Sequence, residues 1–350
     1  MRGSPLANLE PRPRLVDWSI LACVLIETLS GLVSLGSGAP AQWPLFWLHR
    51  VVGLVLVVLL FFKLRRVKPR LSRGNWTRST TVSVLTATVA LAALVSGIAW
   101  TVGFDVDLGF WTLLNLHIGF GLVVLPFVLL HLRSRFRTLG RTDFEGRRTA
   151  LQYSAFIVGG ALLTRLQDET SRLDSVATRR FTGSKPVTGD GFPVTSWVAD
   201  DPDPVDPDSW RLRVDGLVAS NSELSYETLE AGDDCRALLD CTSGWYTTED
   251  WRGLRLGRLL DEAAVDADAQ WVTVHSVTGY RWSFPLAEAR GFLLATRVGG
   301  DRLSHGHGFP VRLVAPDRRG FQWVKWVSRI EVRRRRDATQ YLATLVSGFS

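Results

Sequence analysis

Apolar positions in this chain form long unbroken runs in the first half and short alternating ones in the second. Residues 18–35, 46–62, 82–102 and 108–132 each approach the roughly 20 apolar residues needed to cross a bilayer's hydrocarbon core. They predict four transmembrane helices. A fifth run, residues 150–163, is shorter and weaker. After Leu166 the pattern changes to mixtures of Asp, Pro, Trp and Arg. The segments "WRLRVDGLV", "WVTVHSV", "YRWSFPL", "FPVRLVAP" and "VKWVSRIEV" read as short strands, and "LRLGRLLDEAA" reads as a helix. The expected organisation is an all-α transmembrane bundle of four to five helices over residues 1–165, followed by a β-rich α+β domain over residues 166–350.

The placement of charge refines this picture. A net charge of +7 could signal nucleic acid, but the basic residues lie between apolar runs, in "KLRRVKPRLSRGNWTR" and "RSRFRTLGRTDFEGRR". The other two loops, "GSGAPAQWP" and "GFDVD", have no Lys or Arg. Under the positive-inside rule the basic loops are cytoplasmic, so the fourth helix returns the chain to the cytoplasm. A fifth crossing puts the second domain on the extracytoplasmic side of the cell membrane. The "GRRTALQYSAFIVGGALLTRL" segment, with Arg147 and Arg148, also fits a twin-arginine-like export signal over 147–164, retained as an anchor because no A-x-A cleavage site follows. The alternative is an ordinary basic flank on a short fifth helix.

Two membrane histidines share their surroundings. "LHRVVGLV" and "LHIGFGLV" repeat L-H-x-x-x-G-L-V, placing His49 and His117 each on the same helix face as a glycine four residues on. A histidine beside bare backbone suits a flat porphyrin, and the two helices run in the same direction. We therefore expect a b-type haem with His49 and His117 as its iron ligands. The competing reading is two polar residues facing a wet crevice. His131, 14 residues beyond His117, is a snorkelling histidine or a second-haem ligand, with Lys63 at the corresponding place on the second helix. Glu27 is expected to face the bundle, and Cys23 to serve packing.

The second domain carries a resemblance. "LLDC", "DWRGLRLGRLLDEA", "GYRWSFPLAEA", "HGFPVRLVAP" and "GFQWVKWVSRIEV" occur in the order and spacing of the sulfite oxidase family of molybdopterin enzymes, which includes the periplasmic methionine sulfoxide reductase catalytic subunit. The similarity covers roughly residues 178–335, and the amino-terminal half resembles the b-type cytochrome partners of such enzymes. The resemblance implies that Cys241 is a thiolate ligand to molybdenum, which fits soft sulfur chemistry; the alternative is a disulfide with Cys235. It also implies that His307, Arg312 and Lys325 hold the pterin and its phosphate, that Arg180 and Phe181 of "RRFTGS" contact the cofactor, and that Tyr280 lines the catalytic pocket. His305 is the weaker candidate on its loop. One departure matters. Where sulfite oxidases continue with a Gly-Asn-Arg-Arg type run, this chain has Thr242, Ser243, Gly244, Trp245 and Tyr246. That disfavours a dianionic substrate.

The expected function is a membrane-anchored molybdopterin-dependent oxidoreductase. It performs two-electron oxygen-atom transfer on a small-molecule substrate and exchanges electrons through the haem with quinone or another carrier. Reduction of an S-oxide or N-oxide is favoured by analogy. The alternatives are a sulfite-type oxidase that delivers electrons to the haem, and a haem-bearing anchor whose outer domain only binds a partner. No pair of broken helices supports a transporter, and nucleic acid is not expected as a partner.

Overall fold

The computed structural model describes residues 11–71, 76–104, 106, 111–136, 138, 140, 143, 147–173, 179–187, 191–196, 200–230 and 232–347. The chain divides into two units, Met1–Lys185 and Pro186–Ser350. The sequence places the change of character at 165/166. The first unit extends further because its last helix runs on to Leu173 and residues 179–185 pack back onto the helices: Arg179 Nη1 donates to the Trp100 and Thr101 carbonyls at 3.0 and 2.7 Å.

The first unit is helical: α1 (Pro13–Leu35), α2 (Trp43–Leu71), α3 (Arg78–Val102), α4 (Leu113–Arg135) and α5 (Arg147–Leu173). The first four are long and apolar enough to cross a membrane. Their ends follow ordinary capping rules. Thr77 accepts from the Thr80 N–H at α3, Thr112 accepts from Asn115 at α4, and Gly103 at φ +104° closes α3 in the left-handed conformation. Val16, Val24, Val55, Leu56, Leu59 and Val124 form the bundle's core, together with Cys23, whose role is packing. Leu29, Val95 and Leu129 are each at least 60% exposed. Apolar side chains that face outward in such numbers suit lipid as solvent. α1 lies against α2, and α3 against α4. α5 is longer than the apolar run that announced it, and joins the bundle through α2.

The second unit is built on two sheets, with the two-residue strand β1 (Lys185–Pro186) at the division between units. One sheet contains β4 (Asp233–Asp240), β5 (Trp245–Arg255), β8 (Leu293–Val298), β9 (Asp301–Arg302) and β10 (Arg312–Val314); β5 pairs with β4 and β8, and β8 with β9 and β10. The other runs β3-β2-β11-β6-β7, with β2 (Leu212–Gly216), β3 (Ser222–Leu224), β6 (Trp271–Ser276), β7 (Arg281–Pro285) and β11 (Val327–Arg333). It is mixed, because β11 is parallel to β2 and antiparallel to β6. Short helices α6 (Tyr226–Leu229), α7 (Leu256–Glu262), α8 (Leu286–Ala289) and α9 (Gln340–Val346) complete the unit. Leu212, Val214, Val274, Phe284, Leu294, Leu313 and Ile330 come from both sheets and are fully buried in one core. Each such side chain contributes about 1.5–3 kcal/mol by leaving water.

Gly253 marks where the sheet is tightest. A Cβ there would stand 2.0 Å from the Leu294 carbonyl oxygen, next to the register shift between β5 and β8. Only a residue without a side chain lets the long β5 strand bend there.

Candidate functional site

β4 and β5 form a hairpin whose turn, residues 241–244, begins with Cys241. The Gly244 N–H donates to the Cys241 carbonyl at 3.1 Å and the Cys241 N–H to the Trp245 carbonyl at 2.8 Å. Gly244 takes the left-handed conformation at φ +95° that this tight closure requires. The sulfur is buried and accepts from the Ser243 N–H at 3.4 Å.

Cys235 does not bridge Cys241, and both thiols are free. Cys235 stands in β4 opposite Trp251, six residues before Cys241. Six extended residues separate Cα atoms by about 20 Å, where a disulfide requires about 4.4–6.8 Å. The strand itself forbids the alternative pairing.

Two cations come toward this thiol from elsewhere in the fold. Arg312, the first residue of β10, is buried and lies over the rings of Trp251 and Trp323 at 5.6 and 5.9 Å. Its Nη1 donates to the His307 carbonyl at 3.1 Å, while its Nε has no hydrogen-bond partner among the described residues. Burial brings the guanidinium down to about 10, and the nearby Cys241 works in the opposite direction. Lys325 Nζ donates to Ser196 Oγ at 2.7 Å and to the Gly306 carbonyl at 2.8 Å. Burial, then repulsion from Arg312, lowers its pKa to about 7. Among the described residues neither cation has a carboxylate within ion-pair distance. Glycine 308 permits their approach, since a Cβ there, at φ +105°, would meet the Lys325 Cβ at 3.0 Å.

The other predicted residues fall into place around or away from this cluster. His307 packs on Phe192 with ring centroids 4.2 Å apart. Its Nε2–H donates to the Phe192 carbonyl at 3.0 Å, and Nδ1 lies 2.8 Å from Ser304 Oγ. Both nitrogens are engaged with protein, and burial lowers its pKa. His305 Nε2 donates to the Pro202 carbonyl at 2.9 Å. Tyr280 is buried with its hydroxyl donating to the Phe321 carbonyl at 2.5 Å; burial raises its pKa. Arg180 and Phe181 belong to the first unit. There Arg180 Nη2 donates to the Gly38 carbonyl at 3.2 Å and Phe181 meets Phe46 edge-on at 5.3 Å.

Sequence reasoning missed Asp200, Asp240 and Arg319. Asp200 has a buried carboxyl whose pKa burial raises. Asp240 and Arg319 form a buried ion pair at 2.7 Å beside Cys241. An acidic residue directly before the cysteine was the available signal.

In the helical unit His49 and His117 come together, their ring centroids 5.9 Å apart at 84°. His49 Nδ1 lies 2.8 Å from Ser30 Oγ, and His117 Nδ1–H donates to the Ala93 carbonyl at 2.8 Å. Each ring is thus oriented through Nδ1; His117 presents Nε2 as a donor toward a metal, whereas a metal at His49 would take the place of the Glu27 contact on its Nε2. His49 Nε2 stands 3.2 Å from Glu27, so Glu27 does face the bundle. The glycines against the histidines are Gly31 and Gly97, across the helix interfaces, rather than those four residues downstream. Gly53 approaches Glu27, and Gly121 meets nothing. His131 Nδ1 lies 3.1 Å from Ser83 Oγ, and Lys63 pairs with Asp17 at 3.2 Å.

Both donor sets fit the groups that the sequence implies. A buried thiol beside two cations that are in no ion pair among the described residues suits a soft metal carried by an anionic organic group. Two oriented imidazoles suit haem iron.

Comparison with known proteins addresses the second unit. Residues 199–341 match the family described as an oxidoreductase molybdopterin binding domain. The uncharacterized oxidoreductase YuiH of Bacillus subtilis is 31% identical over 173 residues, 48% of this chain and 82% of that protein. The catalytic subunit MsrP of a protein-methionine-sulfoxide reductase from Gluconobacter oxydans is 29% identical over 148 residues, 36% of this chain and 47% of its own length. Human mitochondrial sulfite oxidase is 31% identical over 180 residues, 42% of this chain and 33% of that enzyme. The matched region holds Cys241, Arg312 and Lys325 together, and the chain belongs to the molybdopterin-binding oxidoreductases, a family of enzymes.

Proposed function

We propose that the protein is a membrane-anchored molybdenum oxidoreductase in which Cys241 binds the metal and the helical unit binds a b-type haem between His49 and His117. The observation that carries this reading is the buried Cys241 thiol with Arg312 and Lys325 nearby, both lowered in pKa by burial despite the field of Cys241 and, at Lys325, of Asp200. Arg312 and Lys325 would hold the phosphate of the pterin, with His307 fixing the loop from which they take their carbonyl contacts. Among the described residues no three His, Cys, Asp or Glu side chains gather as a metal site. A metal at Cys241 would therefore take its remaining ligands from its organic cofactor.

When bound, the molybdenum–pterin group supplies two-electron oxygen-atom transfer. The chain's part is to present one sulfur, neutralise the cofactor's anionic charge and shape the substrate's entry. The turn disfavours sulfite as substrate, and reduction of an S-oxide or N-oxide is favoured by analogy with the sulfoxide reductase. The turn offers Thr242, Ser243, Trp245 and Tyr246 where a dianion needs cations. The names of MsrP and sulfite oxidase span these two directions. Quinone or another membrane carrier is the natural partner of the haem, and the catalytic domain works on the extracytoplasmic side.

Metal and spectral analysis of the full chain tests the reading. We expect about one molybdenum per chain, lost in Cys241→Ser, and a low-spin haem spectrum lost in both His49→Ala and His117→Ala. Wild-type protein that takes up no molybdenum when the cofactor is supplied would leave a non-catalytic binding domain. An unchanged spectrum in either histidine variant would end the haem assignment.

A further inference from the structure

We propose that the buried Arg319–Asp240 pair positions Cys241 and sets the reduction potential of the metal it holds, an inference that rests on the reading of Cys241 as a molybdenum ligand. Asp240 ends β4, Arg319 begins the segment 319–322, and the two backbones form an isolated parallel bridge. Their side chains meet at 2.7 Å, both buried. Arg319 also reaches the thiol-bearing residue itself, because its Nη2 donates to the Cys241 carbonyl at 3.1 Å. The next residue, Gly320, seats the turn: a Cβ there would stand 3.1 Å from the Cys241 Cα and 3.3 Å from the Asp240 carbonyl oxygen. Two contacts hold this segment from behind. Gln322 Oε1 accepts from the Arg319 N–H at 3.1 Å, and the Phe321 carbonyl accepts from Tyr280.

Cys241 therefore rests on a buried dipole whose positive end touches its own peptide. A buried ion pair is weak as a source of stability, because desolvation offsets the attraction. Its electrostatic effect on a neighbour is large, because little water screens it. With both charges present the pair is nearly neutral at the metal. Without Asp240 a bare cation stabilises the electron-rich, reduced metal and raises its potential. Without Arg319 a bare anion lowers it.

The test is an electron-paramagnetic-resonance redox titration of the molybdenum in the full, loaded protein. Asp240→Asn is expected to favour reduction at least tenfold, which is 59 mV for a one-electron couple. Arg319→Gln is expected to shift the couple the opposite way by a similar factor. The double variant, which buries no charge, returns to within about threefold of wild type. A merely structural pair predicts shifts of one sign or none, and either result in the single variants overturns the proposal. Should a single variant fail to load, Arg319→Lys replaces it. That variant keeps the charge but shortens the reach to the Cys241 carbonyl, and is expected to change the molybdenum g-values. Unchanged g-values overturn the proposal. Wild-type protein lacking molybdenum would instead refute the reading of the site, a result separable from unshifted potentials in loaded variants.

Discussion

Lys325 Nζ lies between Ser196 Oγ and the Gly306 carbonyl, and burial followed by repulsion from Arg312 brings its pKa to about 7. The ordinary lysine value is about 10.4. Between these two values the unfolded chain binds more protons than the folded one, so stability rises with pH through that window. Below pH 7 both states are protonated and the folded state bears the full cost of burying the charge. His307, also lowered by burial, acts in the same direction at more acid pH. An anion in the site removes that cost. We expect sulfate, whose charge is constant over this range, to raise the melting temperature of cofactor-free protein more at pH 6.5 than at pH 9. The difference should disappear in Lys325→Gln, and an equal effect at both pH values would show that Lys325 does not face the anion. The sequence made Lys325 and Arg312 legible through "HGFPVR" and "VKW". It hid Arg319 and Asp240, since a charged residue reads as surface until the fold brings together positions 79 residues apart.

At the scale of elements, α3 and α4 meet where Gly97 faces His117. A Cβ at position 97 would stand 2.7 Å from His117 Cε1 and 2.8 Å from Nδ1, whose hydrogen bond to Ala93 fixes the ring. At Gly31 the corresponding Cβ would be 3.6 Å from His49 Cε1, an ordinary contact. Overpacking of this kind costs about 1–3 kcal/mol. We expect Gly97→Ala to lower haem content roughly tenfold and Gly31→Ala to leave it near wild type, as read from the pyridine haemochrome of purified protein. Equal occupancy in the two variants would separate the glycine from the haem site. The helices were legible because each is one apolar run. β6, β7 and β11 were legible through alternating apolar positions. The β4–β5 hairpin was not, although it presents Cys241. Its outward positions are charged, with Arg236 opposite Asp250 and Asp234 opposite Arg252, and its few core positions, Ala237, Leu239, Trp251 and Leu254, are too sparse and irregular in "DDCRALLD" and "WYTTEDWRGLR" to read as apolar runs.

For the whole molecule, the side on which the catalytic domain sits depends on α5. Under the positive-inside rule four spans with basic loops after the second and fourth would return the chain to the cytoplasm, and the proposed extracytoplasmic site for residues 186–350 then requires a fifth crossing. The contacts of α5 run antiparallel to the middle of α2. Phe156 meets Phe62 at 6.0 Å, Gly160 lies against Val51 and Val55, and Arg50 pairs with Asp168 at 2.5 Å. Phe62 lies toward the basic end of α2, and Arg50, one residue from His49, lies toward its start. Those contacts cover residues 50–62 of α2, about 18 Å of its length, and the extracytoplasmic reading of the catalytic domain requires that α5 cross beside α2. On the proposed topology alkaline phosphatase, active only outside the cytoplasm, should be active when fused after Ser350, and a fluorescent protein fused after Gly140 should fluoresce. The reverse pattern at Ser350 would make α5 an interfacial helix and the enzyme cytoplasmic. Export is compatible with the free thiols, since the extended β4 strand keeps Cys235 and Cys241 too far apart to oxidise to one another.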